Sequence, residues 1–574
     1  MMSSEGVPAA TRSIADVDAE LTAKGGPFEM ETLDIAGRVT RTWKQAPANL
    51  AVVLDEGRRR GGEADFIVYE GERLTHAEHF RKVATLAHAM KDKFGVQPGD
   101  RVAIAMRNYP EWSIAFFAAT AIGAIAVALN GWWTGEELAF GLDDSESKVL
   151  IADDERFERL AAHPPSRPIG TVISVRMAEP PAGAVRIEDL LAGETFSELP
   201  AVATSPDASA VLFYTSGTTS RPKGAPCTHR NLISNLVSLQ FSMARAALRE
   251  GRQPSTHAPG VRMLPVPLFH ATGTVVLLNG AYMGGKVVVM RRWDPQDALR
   301  LIEREKVAQL SGVPTVIWDV LNAPNFKDFD LSSLTSLGAG GAITPPEVVR
   351  RVGELLPGRG FSNGYGLTES AAMVTGIAGA DYRRRPNSVG APVPVCDLRI
   401  VDEAGKDLAP REPGEIWIRG PNVIPGYWRR PAETAATFAD GWLRSGDVGY
   451  LDEEGFLYIV DRVKDIIIRG GENISSSEVE AALFEHPAVL EAAVIGAPHE
   501  KLGEEVGAVV RLQPGAQLSA AALKAHVLER IAAFKAPTRY WFRDKEFPRN
   551  ASGKIMKREL KAEALASPET AQAA

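Results

Sequence analysis

At 574 residues the chain is too long for one hydrophobic core, so two or more domains are expected. Apolar, charged, glycine and proline contents are globular, and a formal net charge of -8 leaves no basic excess to neutralise nucleic-acid phosphates. Cys227 and Cys396 lie far apart outside any CxxC pair, which excludes a disulfide framework and fits a reducing, cytoplasmic setting, and no histidine pair has metal-ligand spacing, so no structural zinc is expected.

Residues 1–30 read as a polar, flexible lead-in, and their opening MMSSEGVPAATRS lacks the apolar centre of a secretory signal. Thr75-His76-Ala77-Glu78 has the form of a capping box, opening a helix that runs through Phe94 and stops at Gly95. Arg101 to Met106, RVAIAM, follows as a buried strand. Trp112 to Gly135 carries no formal charge and has the length of a membrane span. Ala and Gly dominate it, however, and Asn130-Gly131 interrupts it with a turn signal. It therefore reads as a buried helix followed by a buried strand, not an integral membrane segment. Strands such as VLFYTS from Val211 and GKVVVM from Gly285 alternate with helical segments, the pattern of an α/β core with largely parallel sheets.

Across 380–460 short alternating strands, GEIWIRG (Gly414 to Gly420) among them, are separated by Pro and Gly turns, which predicts an antiparallel, barrel-like subdomain. Ser475 and Glu478 form a second capping box, and Ser519 can cap an amphipathic helix reaching about Phe534. The expected architecture is a large N-terminal domain, 31–461, of two α/β subdomains plus the barrel-like one. A small α+β domain, 462–574, follows, with the boundary near Arg462 to Lys464.

The strongest local signal is Tyr214 to Gly224, YTSGTTSRPKG, which follows an apolar strand. Its hydroxyls, glycines and lysine are the donors that phosphate oxygens require, although it departs from the GxxxxGK[ST] pattern of P-loop proteins. A Ser/Thr-rich surface turn would share that composition. Gly338 to Ala342 (GAGGA) and Gly364-Tyr365-Gly366 lack the third glycine of a dinucleotide fingerprint, but allow close backbone approach to a ligand. Thr368-Glu369 adds a hydroxyl and a hard carboxylate, suited to phosphate and Mg2+. Pro548 to Lys554, PRNASGK, sets a lysine directly after a glycine.

YTSGTTSRPKG, LFHATG (268–273), GYGLTES (364–370), SGDVG (445–449), DRVKDIIIRGGEN (461–473) and PRNASGKIMKREL (548–560) occur in that order. Together they resemble the ordered motif set of the adenylate-forming superfamily: acyl-CoA synthetases, luciferases and peptide-synthetase adenylation domains. The resemblance implies an AMP-forming carboxylate–CoA ligase that uses ATP, Mg2+ and coenzyme A, with a mobile C-terminal domain. It implies that Thr215, Ser216, Gly217, Thr218, Thr219 and Lys223 hold the ATP phosphates. Gly340, Gly341 and Gly366 would lie near the nucleotide, with Tyr365 on the adenine. Thr368 would contact the α-phosphate, Glu369 would bind Mg2+, and Asp447 and Arg462 would bond the ribose. Lys554 would bridge the substrate carboxylate and the α-phosphate, His270 would reshape the site between steps, Lys464 would be the hinge, and Gly470 and Gly471 would line the CoA tunnel.

Ser220 stands where the phosphate loop usually has glycine, and Ser475-Ser476-Ser477 replace a commoner proline-containing turn. Ala271 to Thr274, Gly338 to Ala342 and Ala371 to Met373 offer small or apolar linings without a charge for an amino group. The acid they suit is a medium- or long-chain fatty acid. The alternatives are an aryl, arylpropionic or steroid-derived acid, delivery to a carrier protein instead of CoA, and a nucleotide-binding regulator without turnover. Self-association into a homo-oligomer is compatible with the sequence.

Overall fold

The computed structural model describes residues 12–215, 221–254, 259–462, 464–550, 553–567 and 571–573. Its first sheet has seven strands, in the order Lys223–Thr228, Ser209–Thr215, Ile125–Ala128, Arg101–Ala105, Val149–Asp153, Thr171–Val175 and Val185–Arg186. All neighbours are parallel except the first pair. These strands are runs of Val, Ile and Ala because helices cover both faces of a parallel sheet. The uncharged stretch after Trp112 resolves as expected into the helix Pro110–Ala121, buried throughout from Trp112, and the buried strand Ile125–Ala128. Among the described residues no helix is long and apolar enough to cross a membrane.

The second sheet has fourteen strands. Its parallel centre runs Gly360–Tyr365, Ser336–Gly340, Gln309–Gly312, Val261–Leu264, Lys286–Val289 and Asp65–Tyr69. The strands between Ser388 and Arg462 are antiparallel, as their alternation predicts, and bond onto the Thr375–Ala378 side of this sheet. Asn108 joins the two sheets: its Nδ2 donates to the carbonyls of Val266 (3.1 Å) and Met290 (3.2 Å), and its Oδ1 accepts from Leu268 N at 2.9 Å. That fixes the segment leading to His270.

A third, six-stranded sheet lies beyond Arg462, where the long strands Val489–His499 and Gly503–Leu512 pair in antiparallel fashion. The helices Ser476–Phe484 and Ala520–Leu528 close a separate core around Ile474, Val479, Leu483, Val506, Leu523 and Tyr540.

Three expectations need correction. The polar lead-in is not loose from residue 12 onward: Ser13 caps the helix Ile14–Leu21, and Val17 and Leu21, one turn apart, are buried. Asp18 on that helix accepts from Arg245 at 2.7 and 2.8 Å. The second capping box is only half made. Ser475 accepts from Glu478 N, but the Glu478 carboxylate accepts from Lys535 Nζ at 2.7 and 2.8 Å. The helix capped by Ser519 ends at Leu528, with a separate 3-10 turn at Ala533–Lys535, after which Pro537 favours the extended backbone seen at Ala536. The first capping box, at Thr75 and Glu78, is complete, and its helix continues through a π-helical turn, Ala89–Lys93, capped by Phe94 just before Gly95.

Candidate active site

The parallel strands Ser336–Gly340 and Gly360–Tyr365 end side by side, with Gly340 opposite Gly364. Ligands of open α/β sheets bind at such C-terminal strand ends. Here Tyr365 is buried, and its hydroxyl donates to Asp447 Oδ2 at 2.8 Å. Asp447 and Arg462 face each other across two antiparallel strands, and their side chains pair at 3.2 Å. Burial raises the Asp447 carboxyl above its ordinary value, opposed first by the Arg462 guanidinium. Burial, and then the Asp447 charge, push the Tyr365 hydroxyl well above its usual pKa, so it stays a donor.

Lys554 reaches this group from beyond the third sheet. A Cβ built on Gly341 would lie 3.6 Å from its Cε and 3.8 Å from its Nζ, so the lysine runs along the bare Gly341 backbone. Burial, and then the Arg462 charge, lower the ammonium to about 8, against the opposing pull of Asp447 and Glu369. Two hydrogen bonds tie the lysine's segment to the residues before it: Asn550 Oδ1 accepts from Lys554 N at 3.0 Å, and Arg549 Nη1 donates to Gly553 O at 2.9 Å. Lys464, the expected hinge, is also within electrostatic reach of Asp447 and Arg462, and burial lowers its pKa.

His270 caps no backbone donor at the start of the helix Ala271–Met283, and its buried Nε2 has no hydrogen-bond partner among the described residues. Burial, reinforced by Lys554, lowers the imidazole to about 4, so it is neutral at pH 7. An unpartnered ring nitrogen beside a cationic lysine is a ready contact for a ligand.

On the other side, Thr215 and Lys223 are partners in the ladder that brackets the phosphate-loop candidate. Ser216, Gly217, Thr218, Thr219 and Ser220 lie outside the described residues. Glu369 lies in the short turn Thr368–Ser370, where the Thr368 carbonyl accepts from buried Cys227 at 3.9 Å. Among the described residues no group of three His, Cys, Asp or Glu side chains could hold a metal. One carboxylate suits Mg2+, which dehydrates reluctantly and takes its remaining oxygens from phosphates and water.

Sequence reasoning missed Tyr427. Its hydroxyl donates to Glu369 Oε1 at 2.7 Å, and its ring face lies 5.0 Å from Lys223 Nζ. The available signal was Gly426-Tyr427-Trp428 in a turn after GEIWIRG, an aromatic pair where polar residues prevail.

Some glycines have packing reasons. A Cβ on Gly366 would lie 1.4 Å from the Ala372 carbonyl oxygen, and one on Gly273 would lie 2.2 Å from that of Pro267. Gly338 is wedged between Ser311 and Ser362, so it leaves no space for a substrate tail. Of the small linings, Thr272, Gly341 and Ala342 remain exposed. Gly470 and Gly471, with φ of 60° and 93°, form the two-residue turn between the paired Arg469 and Glu472. A Cβ on Gly471 would meet open space.

Residues 54–428 match the family model AMP-binding enzyme, and residues 478–554 match AMP-binding enzyme C-terminal domain. A feruloyl-CoA synthase of Amycolatopsis sp is 37% identical over 504 residues, covering 88% of this chain and 96% of that protein. A long-chain-fatty-acid–CoA ligase of Bacillus subtilis (strain 168) is 34% identical over 538 residues, covering 89% and 94%. The solved O-succinylbenzoate coenzyme A synthetase of Bacillus subtilis, in complex with ATP and magnesium ion, superimposes with a TM-score of 0.74 at 31% identity, covering 90% of this chain and 100% of that one.

Proposed function

From the premise that the chain belongs to the AMP-binding, adenylate-forming enzyme family, we propose that it is an AMP-forming acid–CoA ligase using the residues gathered around Lys554. The observation that carries this reading is the convergence of Lys554, Gly341, Asp447–Arg462, Tyr365 and Glu369 on one set of strand ends.

In the first half-reaction a carboxylate oxygen attacks the α-phosphorus of ATP and the bond to the β-phosphate breaks, releasing pyrophosphate. The acid is ionised at neutral pH and needs no base, but two anions must meet. Lys554, mostly protonated below pH 8, offsets that repulsion and stabilises charge on the phosphorus. Mg2+, when bound at Glu369, would neutralise phosphate oxygens. Asp447 and Arg462 hold the ribose, and Tyr365 covers the base. Thr368 contacts the α-phosphate, and the loop from Thr215 to Lys223 holds the departing phosphates. In the second half-reaction the CoA sulfur attacks the acyl carbonyl and AMP leaves. Lys554 withdraws for this step by rotation of the C-terminal domain, 462–574, about Lys464 relative to 31–461. Gly470 and Gly471 then face CoA.

For the acid, the small, uncharged segments 271–274 and 338–342, of which Thr272 and Ala342 are exposed, and the likeness to a long-chain-fatty-acid–CoA ligase support a medium- or long-chain fatty acid. The likeness to a feruloyl-CoA synthase supports an aryl acid as the second reading. Acyl-CoA and AMP formation across acids from acetate to palmitate, benzoates, cinnamates and a steroid acid separates them. Turnover of alkyl acids alone establishes the first reading, and turnover of cinnamates alone the second. Adenylate without acyl-CoA would indicate a carrier-protein acceptor. A chain that adenylates no acid would be a regulator.

A further inference from the structure

Lys223 and Glu369 carry opposite charges on neighbouring elements, yet among the described residues no ion pair joins them. Tyr427 engages both. Its hydroxyl donates to Glu369 Oε1 at 2.7 Å, and the face of its ring lies 5.0 Å from Lys223 Nζ. The ring's own position is fixed. Tyr427 N donates to Thr434 Oγ1 at 2.9 Å, and Phe438 packs edge-on at 5.6 Å between centroids. Its flanks are tied to the same two elements: Trp428 N donates to Gly224 O at 2.8 Å, beside Lys223, and Ile424 N donates to Glu369 O at 2.9 Å.

We propose that Tyr427 is a positioning residue that holds the metal-binding carboxylate and the phosphate-binding lysine apart and aimed before nucleotide arrives. The inference rests on the nucleotide reading above for the identity of the ligand. Its physical content is independent of the acid. A carboxylate and an ammonium free to collapse onto each other would have to be separated by each incoming ATP. A ring face attracts the ammonium electrostatically without neutralising it. A phenol on one carboxylate oxygen orients the group. Among the described residues the other oxygen, Oε2, makes no hydrogen bond and keeps its lone pairs for a hard cation. A phenol is protonated at neutral pH, so facing a carboxylate oxygen it serves as the donor.

The test uses Mn2+ as the probe for Mg2+ and a non-hydrolysable ATP analogue, with Mn2+ binding to the full chain read by electron paramagnetic resonance and metal-free analogue binding by titration calorimetry, without turnover. Tyr427→Phe keeps the ring and removes the donor. It is expected to weaken Mn2+ by about 10-fold or more, the usual scale for losing a partner of a metal ligand, while analogue affinity without metal is unchanged. Tyr427→Leu removes the ring face as well and is expected to weaken the analogue without metal too. Equal Mn2+ affinity in wild type and Tyr427→Phe overturns the proposal alone. A Tyr427→Phe whose Mn2+ and metal-free analogue affinities fall together, with its melting temperature, overturns it in favour of a purely structural role. A wild-type chain that binds neither probe overturns the nucleotide reading, and this proposal with it.

Discussion

The ammonium of Lys554 is held against Gly341 and lowered to about 8 by burial and by Arg462, which gives the adenylation step a pH signature. In the role proposed for it the charged form acts, so kcat/KM for ATP, which reports the free enzyme, is expected to fall as pH rises through about 8. For stability the sign is opposite. The folded pKa lies below the unfolded one, so the unfolded chain holds more protons between them, and this group's burden on folding lightens as pH rises above 8. Lys554→Ala is expected to slow adenylation by about 100-fold or more. Transfer from supplied acyl-AMP to CoA should survive, because the mechanism proposed above has the lysine withdrawn in that step. Loss of both half-reactions together would indicate a damaged fold instead. ATP–pyrophosphate exchange and single-turnover acyl transfer measure the two separately.

At the scale of elements, glycines that look alike in sequence divide by what surrounds them. Gly366→Ala would place a methyl 1.4 Å from the Ala372 carbonyl, in a turn where Ala371 and Ala372 already have φ of 49° and 94°. The expected cost exceeds about 4 kcal/mol, seen as a large loss in urea midpoint or as failure to fold. Gly471→Ala meets open space and should cost only about 1–2 kcal/mol for its left-handed backbone. If the glycine pair lines the CoA path, that variant also raises KM for CoA and leaves ATP–pyrophosphate exchange intact. An unchanged KM for CoA would leave the pair as a hairpin turn only. This division was not legible in sequence, because packing around a glycine depends on residues distant in the chain. Local signals were legible. Thr75–Glu78, the RVAIAM strand and the antiparallel run after Ser388 are set by contacts within a few residues. The helix Ile14–Leu21 was missed because it buries little more than Val17 and Leu21, and its anchor, Arg245, lies over 200 residues away. Tyr427 was missed for the same reason: its partners sit in motifs read separately.

Across the whole molecule, the third sheet has its own core, yet Lys554 reaches the strand ends of the second sheet, the arrangement proposed above for adenylation. The contacts that hold it span the stretch from Arg462 to Lys464. Asp461 Oδ2 accepts from Ser476 N at 2.6 Å and from Ser476 Oγ at 2.8 Å. The Val460 carbonyl accepts from Ser475 Oγ at 2.8 Å and from Ser477 Oγ at 2.5 Å. Lys557, three residues after Lys554, donates to Ser476 Oγ at 2.8 Å and pairs with Glu480 at 2.6 Å. The three serines that depart from the proline-containing turn thus bind the Val460–Asp461 strand end to the helix Ser476–Phe484, and the rotation about Lys464 proposed above would have to break those bonds. Two hydroxyl-to-carbonyl bonds are worth about 1–3 kcal/mol together. The double variant Ser475→Ala, Ser477→Ala removes both, together with the Ser475 cap on Glu478 N, and leaves the Ser476–Asp461 contacts intact. It is expected to slow ATP–pyrophosphate exchange and to speed CoA-dependent consumption of supplied acyl-AMP, because both rates follow the population of one arrangement against the other. Equal slowing of both would mean that the serines stabilise the C-terminal helix without biasing domain orientation. No change in either would mean that Asp461 and Ser476 alone hold the arrangement.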